Sequence, residues 1–106
     1  MLRELTGANF KAEVVDNAKG VVVVFTAPWC GACRMLKPEL VKLANRGYKV
    51  GTVDVDTEGD LGMGVQALPT VLAFKGDEAT AKLVGAAKEK DLLKLVEVGG
   101  VELQVA

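Results

Sequence analysis

The chain holds two cysteines, Cys30 and Cys33, in the stretch FTAPWCGACRMLKP beside its only tryptophan, Trp29. Cysteines at i and i+3 in the first turn of a helix are close enough to form a disulfide. The strand expected before them ends near Thr26, and Ala27-Pro28-Trp29 make the connection, so Cys30 falls at the helix N-terminus. Unpaired amides and the helix dipole favour an anion there. Sites of this kind lower a thiol pKa from about 8.5 to roughly 3.5–7.5. Cys33 lies on one stripe with Leu36 and Leu40, so it is expected to be buried and to keep its proton longer. The chemistry this predicts is thiol–disulfide exchange. Thiolate Cys30 attacks a disulfide; Cys33, one turn away at high effective concentration, then displaces the bound thiol and leaves a Cys30–Cys33 disulfide.

Other uses of the pair fit less well. A zinc site takes four Cys or His ligands, and this chain has two Cys and no His. A metal or iron–sulfur site would therefore need two chains to share ligands. A structural disulfide closing so short a loop gains little loop entropy. Two incidental core cysteines remain the bland alternative. A Cys-x-x-Cys at a strand-to-helix turn within a βαβ pattern is, however, the redox signature.

The elements that must position the pair can be read along the chain. Asn9 is expected to cap a first helix over about residues 10–18. Val21 to Phe25 is apolar on both faces and β-branched, which predicts a buried central strand. Ala32 to Asn45 has helical spacing, ends at Arg46-Gly47 and contains Pro38, which should bend it. Lys49 to Asp56 reads as a second strand, giving a right-handed parallel βαβ unit. A short helix over 57–63, strands over 71–74 and 80–84 and a last helix over 88–98 follow, the fourth strand lying at an edge. Gly99-Gly100 reads as a hinge before a tail whose residues 101–105 alternate like a strand. The sum is one α/β domain, a mixed sheet with helices on both faces.

Composition narrows the function. The net charge of −1 does not indicate a nucleic-acid surface. Residues 1–50 carry eight Lys/Arg against four Asp/Glu, and residues 51–106 carry five against ten, so the pair sits in the positive half. The longest purely apolar run, Val21 to Phe25, is far too short to span a membrane, and the N-terminal stretch has no signal-like apolar core. A cytoplasmic protein is the expectation, and in that reducing compartment a lone Cys-x-x-Cys is redox-active or metal-binding rather than a staple. A monomer is expected too.

These residues resemble the thioredoxin family over roughly residues 5–98. WCGAC looks like the family's Trp-Cys-Gly-Pro-Cys site, and Pro38 matches its helix-kinking proline. VQALPT at 65–70 resembles the family's cis-proline segment, FKGDE its turn after the third core strand, and LVGA at 83–86 its glycine loop. The resemblance implies the thioredoxin fold, a four- to five-stranded sheet flanked by helices. It implies cis-Pro69 facing the cysteines, and a substrate groove of Trp29, Gly31, Ala32, Leu68, Pro69, Val84 and Gly85. It also implies reduction of disulfide-containing target proteins with no resident cofactor or metal, the electrons coming from a flavin-dependent thioredoxin reductase.

Three departures stand out. The family usually has Pro at Ala32. Alanine restores an N–H that could donate to the Cys30 thiolate, which should stabilise the reduced form and raise the potential. Val24 replaces a buried Asp that helps move the proton of the resolving thiol, leaving Asp54 and Asp56 as the nearest alternatives by strand order. Thr26 replaces a Trp common in bacterial relatives. An oxidant or isomerase would need an oxidising compartment, and a non-enzymatic binding subunit or a dimeric cluster scaffold is the reading from a different class.

Overall fold

The computed structural model describes residues 2–104. The chain runs through β1 (Arg3–Glu4), a π-helical segment (Lys11–Val15), β2 (Val21–Thr26), α1 (Gly31–Asn45), β3 (Val50–Asp54), α2 (Val55–Glu58), β4 (Thr70–Lys75), β5 (Glu78–Val84) and α3 (Glu89–Gly99). The strands form one mixed sheet in the order β1-β3-β2-β4-β5. β1 and β2 both run parallel to β3, while β4 is antiparallel to β2 and β5 to β4.

β2 is the central strand because its residues alternate between two apolar layers. Val22 and Val24 pack with Leu36, Leu40 and Leu43 of α1 and with Leu92, Leu95 and Val96 of α3. Val21, Val23 and Phe25 pack on the other face with Val14, Leu5 and residues of the 55–68 segment. Helical segments thus cover both faces, and β2 delivers its C-terminal end, and with it the cysteine loop, to one edge of the core.

The structure departs from the sequence reading at several points. Asn9 does not cap the first helical segment, which follows Phe10; it closes a turn with Thr6 just before it. Asn9 donates to the Thr6 hydroxyl (3.2 Å) while its Oδ1 accepts from the Thr6 amide (2.7 Å). The segment is also shorter than expected, ending at Val15. β3 stops at Asp54, whose carboxylate accepts from the Asp56 amide (2.9 Å) and caps α2, so the alternating Val53–Asp56 does not stay extended. β1 was not anticipated: it is two exposed charged residues followed by Leu5, which packs directly over Gly51. A Cβ on Gly51 would lie 2.5 Å from Leu5 Cδ1, so glycine is what lets the edge strand approach.

The tail is neither a hinge-borne arm nor a strand through Gln104; position 105 lies outside the described residues. Gly100 ends α3 in the left-handed conformation (φ 72°), and Val101 donates back to Val96 (2.9 Å). Glu102 donates to Lys19 (2.7 Å) and Gln104 to Gly47 (2.8 Å), which fastens the segment to the body.

Candidate active site

Cys30 is the residue that caps α1. It is extended (φ −86°, ψ 112°), Gly31 begins the helix, and its Sγ accepts the Cys33 amide at 3.2 Å. Both thiols are free and largely covered, Cys30 8 % and Cys33 6 % accessible, in a small apolar cluster with Ala27 that Ala32, Val55 and Leu68 pack against.

The two thiols are pushed in opposite directions. Cys30 is held below its ordinary range, first by the hydrogen bond from the Cys33 thiol, then by the amides of Cys33 and Ala32 and by the charge of Arg34, against a desolvation cost. Burial pushes Cys33 up, and its hydrogen bond to the Cys30 sulfur adds to this; the Thr26 side chain and the Ala27 backbone pull the other way. Of the two, Cys30 is the thiol whose ionised form the surroundings favour. The Ala32 amide, which a proline would lack, is among the groups that stabilise it.

Two clefts meet at the pair. The first has a volume of about 380 Å³ and is lined by Trp29, Cys30, Val55, Asp60 and the 65–68 segment. Trp29 is 66 % exposed, and its indole Nε1 donates to Asp56 Oδ1 at 3.1 Å, which fixes the ring beside the thiolate. Asp60 shapes the cleft wall. Its carboxylate accepts the amides of Gly62 (2.9 Å) and Val65 (3.0 Å) and is held below its ordinary range by them. The sequence reading missed Val55 and Asp60 and weighed Asp56 only as a neighbour of Cys33, whereas it holds Trp29; a carboxylate in reach of an exposed indole is a contact of the fold and leaves no local motif.

Of the anticipated groove residues, Trp29 and Leu68 line this first cleft and Ala32 packs beside the pair, whereas Pro69, Val84, Gly85 and Gly31 are not among its lining residues. The Leu68–Pro69 bond is cis. Gly85 donates to the Pro69 carbonyl (2.9 Å) and Val84 pairs with Thr70, so these three form one strip at the start of β4. Gly31 is exposed, with open space around it.

The second cleft, about 360 Å³, lies behind the pair and is lined by Val24, Thr26, Cys33, Lys37 and Asp54 among others. Val24 forms part of its apolar wall, with Ala27, Pro28 and Leu40. Asp54 reaches it, whereas Asp56 is turned to Trp29.

A dithiol at a helix cap in this strand order defines a thiol–disulfide exchange protein. The thioredoxin family model matches residues 1–98. "Thioredoxin 1" of a Nostoc species is 34% identical over 99 residues, covering 89% of this chain and 92% of that protein. "Bifunctional thioredoxin reductase/thioredoxin" of Mycobacterium leprae is 35% identical over 96 residues, 86% of this chain and 21% of that protein. "Thioredoxin M4, chloroplastic" of Arabidopsis thaliana is 32% identical over 99 residues, 88% of this chain and 51% of that protein. The chain belongs to the thioredoxin family, and it is a thiol–disulfide oxidoreductase acting on protein disulfides. No described helix is long and apolar enough to cross a membrane, and no group of three or more described His, Cys, Asp or Glu side chains is placed to hold a metal ion.

Proposed function

We propose that Cys30 is the attacking thiolate and Cys33 the resolving thiol of a monomeric cytoplasmic reductase. The observation that carries this is the 3.2 Å bond from the Cys33 amide to the Cys30 sulfur at the cap of α1, with the two thiols pushed apart in acidity. Cys30 takes the target's disulfide in the cleft beside Trp29 and Leu68, with Gly31, Ala32 and the Pro69–Val84–Gly85 strip as its borders. The outgoing Cys30–Cys33 disulfide is reduced by a flavin-dependent thioredoxin reductase. The Mycobacterium leprae relative, whose name joins both activities in one chain, supports that electron source. The chain carries no resident cofactor. The test is equilibration in glutathione buffers of set ratio, with Trp29 fluorescence reporting the dithiol state. A reversible two-electron transition at or somewhat above about −270 mV supports the reading, and a value of about −200 mV or higher points instead to oxidant work.

A further inference from the structure

When the mixed disulfide resolves, the Cys33 thiol must lose its proton, and it does so from a site only 6 % accessible. The groups it meets there come from neighbouring strands. Thr26 lines the same cleft as Cys33, and its side chain favours the Cys33 thiolate. Thr26 and Val24, two residues apart on β2, face α1 together, and Asp54 is the register partner of Thr26 on β3. Adjacent strands are about 4.8 Å apart, so Asp54 is one strand from Thr26. Both open into the second cleft, whose volume of about 360 Å³ has room for several solvent molecules. Asp54 spends Oδ1 on the cap of α2, and a carboxylate retains a second oxygen to accept a proton. Glu4 also lines the cleft but lies on β1, a strand further out, and Arg34 and Lys37 face it from α1.

We propose that Asp54, acting through the Thr26 hydroxyl and the solvent of this cleft, accepts the proton of the Cys33 thiol during resolution. The inference rests on Cys33 being the resolving thiol. In the step, the Cys33 S–H proton passes to the Asp54 carboxylate. The freed electron pair forms the Cys33–Cys30 bond while the bond between Cys30 and the target sulfur breaks. The target sulfur leaves with that bonding pair and takes up a proton, which Asp54 can return. Two electrons have then moved from the cysteine pair to the target.

The test separates the two steps in the full chain by rapid quench with a disulfide-linked peptide. D54N keeps the α2 cap and removes the acceptor. Resolution should slow about tenfold, and its rate should follow Cys33 ionisation to higher pH, while attack by Cys30 proceeds as in the parent. T26V, nearly isosteric, should slow the same step. Resolution by D54N within twofold of the parent at every pH would overturn the assignment. In parallel, C33S must accumulate the Cys30 mixed disulfide. If it does not, the resolving role itself fails, an outcome distinct from a failure of Asp54 alone.

Discussion

The two clefts that meet at the cysteines differ in wall, in charge and in the thiol they serve. The front one presents an exposed indole, Leu68 and the covered Cys30 sulfur to an incoming chain. The rear one ends at Cys33 and is lined by Thr26, Asp54 and Lys37 beside the apolar Val24. Two thiols three residues apart in one helix thus acquire opposite acidities from position alone. The Cys33 thiol and the cap's amides favour the thiolate of the first, and burial withholds solvent from the second. A single helix start therefore builds both a nucleophile and a slower proton-bearing partner.

The largest effect should come from removing one sulfur at a time. Cys30→Ser should lower reduction of a protein disulfide by on the order of a thousandfold or more, effectively to background. Cys33→Ser should lose turnover equally but still attack once, which mass spectrometry would detect as a stable Cys30 adduct. Equal behaviour of the two variants would erase the difference between front and rear.

Ala32→Pro probes the front alone. It removes an amide that favours the Cys30 thiolate, so the reduced form loses stability and the potential should fall by about 30 mV, a tenfold change in equilibrium constant. The pH at which Cys30 becomes reactive should rise together with it. A higher potential in this variant would contradict the role given to the amide.

Asp56→Ala frees the indole that Asp56 now holds at 3.1 Å. Loss of one such bond, about 1 kcal/mol, should raise KM for a protein disulfide about fivefold and alter Trp29 fluorescence, with the alkylation rate of Cys30 little changed.

The smallest effect lies at a residue that lines neither cleft. Glu13 is held at about 2 by Arg3 and Lys49, below its ordinary value of 4.5. A depressed carboxylate contributes stability above its unfolded pKa, and that contribution is lost as pH falls from about 4.5 toward 2. Glu13→Gln should therefore flatten the acid limb of thermal stability over that window and leave disulfide reduction at pH 7 intact.

The parts of this molecule legible in its sequence are those fixed by local pattern. Val21–Phe25 announced a strand buried on both faces, and the stripe Cys33, Leu36, Leu40, Leu43 announced the helix face that buries one thiol. The errors fall where side chains redirect the backbone. Asp54 ends a strand that Val53–Asp56 alternation would continue, because its carboxylate offers the Asp56 amide a local partner. β1 escaped because its pairing spans two charged residues and its apolar anchoring lies outside it, at Leu2 and at Leu5 over Gly51. The walls of the clefts were the least legible. Asp56 reaches Trp29 across 27 residues, and Thr26 and Asp54 face each other only through strand register.

The central claim is that Cys30, and not Cys33, carries the reactive thiolate. The direct measurement is the rate of alkylation of each cysteine in the reduced protein across pH, read by peptide mapping. The account predicts that Cys30 is modified first, with a rate that titrates below the ordinary thiol range, and that Cys33 stays protected. Modification of Cys33 first, or of both at equal rates that follow an ordinary thiol, would contradict it.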